Sequence, residues 1–370
     1  MLKVKAKRTS GWHRFAAFVM KRPIIMAVVA IGFLLFGALP VGNMNLTIPE
    51  ADALPTSYES RMTFEKYEET FAHKGATTVP LIAKATEDMT ATTSLGKLED
   101  LIASLTDDPL VANVDSILSA TNMTADELTI ALEIPEMQEQ LKPAFDQLTN
   151  GERALLQVQL QADGSSEEAK NWVRDWNDKQ HDLDIKVGGF SKFQQEIFDE
   201  IYDKIGYSLA FILISTYIVL FFAFRSVLIP LKAIIMNVIS LSCTFGIVVW
   251  LFQGGHLGSA PSDIALMIPI FAFSIVFGLS MDYEVFLISR MYEMYQETGD
   301  NDRSTLEGLI STSKIITSAA AIMIVITGAF AFTGIVPVQQ MGVTVALAIF
   351  IDATVVRMVL VPSLMKLMGI

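Results

Sequence analysis

The sequence predicts an α-helical integral membrane protein of six transmembrane helices, with an α+β domain inserted on the extracytoplasmic side between the first helix and the second. Three observations carry this reading. Of 370 residues, 52% are apolar and 18% charged, a balance shifted toward apolar relative to soluble domains, in which about a quarter of residues carry charge. Six apolar stretches each reach the roughly 20 residues that a helix needs to cross ~30 Å of hydrocarbon. Charge is also segregated: residues 43–205 hold 31 acidic and 13 basic side chains, a net −18, whereas the remainder holds 9 and 14, a net +5.

Taken in order, residues 1–22 form a basic N-terminal segment and residues 23–41 the first span. Residues 42–205 are the inserted domain, and residues 206–370 hold the other five spans, at 206–224, 231–252, 264–289, 315–334 and 341–368. An even number of crossings puts both termini on one side. Lys3, Lys5, Lys7, Arg8, Arg14, Lys21 and Arg22 precede the first span, Arg225 lies in a short connection, and Arg290, Arg303 and Lys314 flank the fourth span. Basic residues are retained in the cytoplasm, so both termini are expected there, in the cytoplasmic membrane, with the acidic domain outside. A cleaved signal peptide is the alternative for the first span. Its 19 apolar residues exceed a usual signal core, and its removal would break the charge asymmetry.

Within the inserted domain, residues 77–85 and 111–117 alternate as strands around an amphipathic helix at 94–105. Strand, helix and strand recur at 154–162, 166–179 and 183–188, which suggests a split βαβ-βαβ unit. Residues 123–149, expected to break at Pro135 and Pro143, read as a helical insertion between the halves. A last helix at 191–204 runs into the second span, where it would carry movement of the outer domain to the membrane.

Several functions are excluded. One cysteine, Cys243, leaves no disulfide framework or thiolate zinc site, and four scattered histidines form no metal motif. No phosphate-binding loop or nucleophilic triad emerges, so the chain is expected to be no enzyme, to need no cofactor and to draw its energy from an ion gradient. The acidic domain offers no basic surface to nucleic acid.

The fourth span carries Asp282, Tyr283 and Glu284 at membrane depth, where a carboxylate costs ~2.5 to 3.5 kcal/mol on insertion scales. Ser274, Gly278 and Asp282 recur every four residues, so the small residues and the acid share one helix face that another helix can approach closely. Asp282 is therefore expected to face protein, where it either switches its proton as the bundle rearranges or only fixes packing. Adjacent Tyr283 is placed to donate to a carboxylate on a facing helix. Glu284 points roughly opposite to Asp282 and reads as a snorkelling or ion-paired side chain. In the sixth span Asp352 and Arg357 lie about 140° apart around an α-helix, so each is expected to find a partner elsewhere, with Glu284 and Arg357 one candidate pair. Glu284, Asp352 and Arg357 thus read as an ion network or as part of a proton path. Ser280, Thr317 and Ser318 are candidates for a hydrated route to Asp282 or for ordinary helix packing.

The runs Phe277 to Leu287 (FGLSMDYEVFL), Ser289-Arg290, Thr298 to Asn301, Ile316 to Ala320 and Ile351 to Pro362, in this order and spacing, resemble the MMPL family of the resistance-nodulation-division superfamily. The resemblance implies a porter-like role for the inserted α+β domain and export of a lipid or hydrophobic compound driven by the proton-motive force. Family members resemble two concatenated repeats, each contributing a transmembrane Asp-Tyr pair to a proton relay. This chain resembles one repeat, the C-terminal one, including the Trp12 to Pro23 lead-in and the Pro49 to Pro55 segment. By that resemblance Asp282 and Tyr283 supply one pair. The partner expected to supply the other is a second copy of the chain, a separately encoded N-terminal repeat, or the rest of a longer protein. The alternatives are a non-transporting accessory or sensor of the same superfamily, and an inactive fragment of a split transporter gene.

Overall fold

The computed structural model describes residues 11–71, 77–256 and 261–368. Lys3, Lys5, Lys7, Arg8 and His73 lie outside the described residues. The chain forms two compact units, one of Met62–Lys204 and the other of Met1–Arg61 with Ile205–Ile370.

In the second of these, α1 (Gly11–Lys21) is followed by α2 (Pro23–Ala38), with Pro23 in the first helical turn, where a missing amide hydrogen costs nothing. Beyond α2, β1 (Leu46–Thr47) follows, and then α3 (Glu59–Phe71), which passes into the other unit at Met62.

The unit of Met62–Lys204 is built on an antiparallel sheet. In chain order it contains β2 (Thr77–Lys84), α4 (Thr92–Thr106), β3 (Val111–Asp115), α5 (Ile117–Thr121), α6 (Ala125–Leu132), α7 (Pro135–Leu148), β4 (Thr149–Asn150), β5 (Arg153–Leu160), α8 (Glu167–Asp178) and β6 (Asp184–Val187). The strand order β3-β5-β2-β6, with β4 hairpinned onto β5, is that of a split βαβ pair. Alternating positions Val79, Leu81 and Ala83 of β2 and Leu156, Val158 and Leu160 of β5 are buried against Leu95, Leu98 and Leu105 of α4 and Trp172, Val173 and Trp176 of α8. Both indole nitrogens donate to Asp108 Oδ2 at 3.1 Å, which satisfies the polar ends of two buried aromatic rings. Pro135 opens α7, but the helix continues through Pro143 instead of breaking there. The ring removes one backbone donor, and the flanking turns keep the helix.

The following helix, α9 (Gly189–Phe224), is divided between the two units at Lys204. In the helical unit it is joined by α10 (Leu228–Phe252), β7 (Ile264–Ala265), α11 (Met267–Thr298), α12 (Asn301–Gly328), α13 (Val336–Ile351), a π-helical turn at Asp352–Leu360 and α14 (Val361–Met368). Among the described residues, six helical segments are long and apolar enough to span a membrane: Pro23–Asn43, Gly189–Phe224, Leu228–Phe252, Met267–Thr298, Asn301–Phe332 and Val336–Leu367. The protein is mostly helical and of the multi-pass membrane type. Residues 42–61, expected in the inserted domain, belong to the helical unit. β1 pairs in parallel with β7 there, and buried Gln340 accepts from the Ala265 amide and donates to the Asp263 carbonyl at 2.8 Å.

Small residues set the helix crossings. A Cβ on Gly246 of α10 would lie 2.0 Å from the carbonyl oxygen of Gly37, so these backbones meet at a distance only glycine allows. The turn between α11 and α12 uses Gly299 at φ +66° to end one helix, and the Asp300 carboxylate accepts from the Asp302 and Arg303 amides to begin the next.

Candidate functional site

Helix α11 brings Asp282, Tyr283 and Glu284 to its middle, Asp282 being the sixteenth of its 32 residues. Successive α-helical residues turn by about 100°, so the two acids lie on nearly opposite faces. Asp282 is exposed on the surface of the chain, in one stripe with Ser274, Gly278 and Phe286. The expectation that it faces protein is not met by any helix among the described residues: a Cβ placed on Gly278 would find nothing within 4 Å.

Glu284 is the enclosed acid. It is 4% exposed and takes part in no ion pair among the described residues, so it is neither snorkelling nor paired with Arg357. Its Oε2 accepts from Asn237 Nδ2 of α10 at 3.4 Å, and its buried Oε1 has no hydrogen-bond partner among the described residues.

Asp352 and Arg357 do pair directly, contrary to the expectation from α-helical geometry. Arg357 Nη2 lies 2.6 Å from Asp352 Oδ2, and Nε donates to the same oxygen at 2.7 Å. The reason is the π-helical winding of Asp352–Leu360, in which backbone bonds run from i+5 to i and positions five apart come onto one face.

From this pair a chain of donors runs toward Glu284. Arg357 Nη2 donates to the Ser280 carbonyl and, at 3.1 Å, to the Ser280 hydroxyl. That hydroxyl donates to Asn237 Oδ1 at 2.7 Å, and the Asn237 amide donates to Glu284. The guanidinium also stands 5.1 Å from the centre of the Tyr283 ring, within the range of cation–π attraction. Tyr283, Ser280 and Asp352 line one small cavity, closed by Ile316 and Ala320 of α12, with about 10 Å³ of room.

The structure thus gathers buried Ser280, Glu284, Asp352 and Arg357 with half-buried Tyr283 into one cluster and leaves Asp282 on an open face. Thr317 and Ser318 are not part of it. Their hydroxyls donate to the carbonyls of Ser313 and Lys314, at 2.7 and 2.6 Å, one turn back on their own helix. Asn237, which joins the cluster to Glu284, escaped the reading of the sequence. The available signal was a lone amide within an apolar span, a group that seeks a hydrogen-bonding partner at membrane depth.

The chain is similar along nearly its whole length to known membrane proteins. It is 29% identical to the trehalose monomycolate exporter MmpL3 of Mycolicibacterium smegmatis over 97% of its own residues and 34% of that protein. Identity is 30% to a putative membrane protein of Streptomyces coelicolor, over 96% and 45% of the two chains. It is 28% to the mycolic acid-containing lipids exporter MmpL11 of M. smegmatis, over 99% and 36%. The chain therefore spans between about a third and just under half the length of these relatives. The MMPL family model matches residues 52–370, and the chain belongs to the MMPL family.

Proposed function

We propose that this chain is one repeat of a proton-driven transporter that exports a lipid or other hydrophobic compound across the cytoplasmic membrane. It moves its substrate without converting it. In this reading the termini are cytoplasmic, and the sheet unit is a porter-like domain on the outer side. Relatives named as exporters of trehalose monomycolate and of mycolic acid-containing lipids support the substrate class.

The observation that carries the mechanism is the position of Asp282: a carboxylate at the middle of a long apolar helix, on a stripe with Ser274 and Gly278 that no helix among the described residues covers. Facing lipid there would cost ~2.5 to 3.5 kcal/mol or more. A second polypeptide surface relieves that cost, either another copy of the chain or an N-terminal repeat. Asp282 then lies against the partner's helices, with Tyr283 beside it as the adjoining donor. A proton entering down the membrane potential contributes ~2.3 kcal/mol per 100 mV, and each unit of pH difference about 1.4 kcal/mol. That is enough to bias a two-state helix bundle, which is what a transport cycle requires.

The test is Asp282→Asn in the transporter as assembled in its native membrane. Export is expected to be lost with membrane level and folding unchanged; export that continues at the original rate removes Asp282 from the mechanism. A protein of this fold that never moves lipid, with or without the substitution, is the accessory or sensor of the alternative reading.

A further inference from the structure

The acid that lies deepest in this chain has no part in the Asp282 mechanism. Glu284 is held through one long hydrogen bond from Asn237, and its other oxygen has no hydrogen-bond partner among the described residues. The nearby cation, Arg357, uses Nε and Nη2 on Asp352 and Ser280, while its buried Nη1 has no hydrogen-bond partner among the described residues. An ionised carboxylate so poorly compensated is expensive in an apolar surrounding, so a nearby cation that can move matters.

One other cation, Lys232, lines a cavity together with Glu284. A small cavity with about 10 Å³ of room, enough for roughly one water molecule, is lined by Glu284 together with Ile229, Lys232 and Met236 of α10 and Leu364 and Met365 of α14. Lys232 is half-buried and has no ion-pair partner among the described residues. It and Glu284 are the titratable groups lining this cavity. From the other sides the charged and titratable groups facing the Glu284 cluster are Arg357 and Asp352 of the π-helical turn and Tyr283 of α11. Helix α2, packed on α10 and α14, carries none. On α14 Lys366 is already paired with Asp302 at 2.7 Å.

We propose that Lys232 is the mobile counter-ion of Glu284, and that the cavity between them is the route by which Glu284 exchanges a proton with water. In the exchange the carboxyl O–H bond breaks, and the proton passes to the cavity water and from it to bulk water beyond Lys232. The ammonium then swings along its flexible stem to pair with the carboxylate. Reprotonation reverses each movement, and no electrons are transferred. The chain thereby carries an exchangeable proton within a single repeat, in addition to the one on the Asp282 face. The inference builds on the reading of the chain as proton-driven, but it does not use Asp282, so the two fail separately.

The test is infrared difference spectroscopy of the full chain, purified from its membrane into lipid nanodiscs, following the carbonyl stretch of protonated carboxyl groups against pH. A band that titrates away with rising pH is expected, absent in Glu284→Gln and retained in Asp282→Asn. Lys232→Met should move its midpoint upward by about one pH unit or more, as loss of a nearby opposite charge does, and Lys232→Arg should restore it. A lysine that only extends its amine to the membrane surface would leave the midpoint where it is, and that result overturns the proposal. So does a Glu284→Gln spectrum identical to wild type. Should Glu284→Gln fail to insert, the Lys232→Met and Lys232→Arg pair decides on the unaltered acid. Asp282→Asn that leaves export intact removes the proposed relay, while the Glu284 band still reports on Lys232.

Discussion

Asp352 and Arg357 share one ion pair, 2.6 Å between Nη2 and Oδ2, because the helix that carries both is wound as a π-turn between them. Both side chains are buried, and the same guanidinium also holds the Ser280 carbonyl of α11. A local change of helical winding thus supplies the cross-link between the last helix and the helix of the candidate site. π-turns often mark functional positions, since they turn side chains out of their regular register.

Removing one partner of this pair should be far more damaging than removing both. Asp352→Leu leaves Arg357 as an uncompensated buried charge, and a loss of about 3 to 5 kcal/mol is expected. Asp352→Leu combined with Arg357→Met should cost clearly less than the sum of the single changes. Thermal unfolding of the four proteins of this double-mutant cycle in one detergent measures the coupling. Additive losses would show that the pair does not act as a unit.

The same π-turn marks where reading the sequence stops. The spans were legible because a bilayer demands about 20 apolar residues of any crossing helix. The helix expected at 191–204 is continuous with the second span in α9, which begins at Gly189, but the start of α12 was less legible: it begins at Asn301, well before the apolar run at 315, because helix propensity and capping hold the chain where hydropathy is silent. The sheet was legible from alternation in 77–85 and 154–162, since period two survives in any half-buried strand. The pairing of Asp352 with Arg357 was not, because it depends on a departure from 100° per residue that no residue type there announces. Asn237 and Glu284 were likewise separated in sequence by 47 positions and joined only by packing. Tyr283 and Asp282 were legible as polar residues at membrane depth, but which neighbour was deeply enclosed was not: both acids sit in one apolar helix, and only the packing of α10 and the π-turn distinguishes their faces.

In the sheet unit, Arg174 of α8 grips Asp199 of α9. Its Nε donates to both carboxylate oxygens at 3.1 and 3.0 Å, and Gln195 adds a further donor. Hydrogen bonds from the guanidinium, more than its charge, hold the Asp199 carboxyl below its usual value despite partial burial. A carboxyl whose folded value is depressed adds stability that is complete above its unfolded value, near 4, and is lost as pH falls through the lower folded value. The pair is over a third exposed, so solvent screening keeps its contribution modest. Asp199→Asn should therefore flatten the acid limb of stability below about pH 4 and leave neutral pH dependence unchanged. Denaturant titrations followed by Trp172 and Trp176 fluorescence, run across that range, measure the slope. An acid limb as steep in the variant as in the wild type would exclude Asp199 as its source.

Two glycines separate packing within the chain from packing against a partner. A methyl group on Gly246 would meet the Gly37 carbonyl at 2.0 Å, and backbone cannot yield as a side chain can, so Gly246→Ala should force α2 and α10 apart. Overpacking of that kind costs about 1 to 3 kcal/mol, and it should lower the unfolding temperature of the chain by itself. Gly278 has open space where its Cβ would stand, on the stripe that holds Asp282. Gly278→Leu should consequently leave the unfolding temperature of the isolated chain unchanged. If that stripe is covered by a second polypeptide, the added side chain lies between the two surfaces and association weakens. Crosslinking at cysteines introduced along α11, in native membranes, should then decrease in Gly278→Leu while chain abundance holds. Equal crosslinking in both proteins would mean that the partner, where there is one, approaches from another side, and Asp282 would have to be relieved of its cost by some other means.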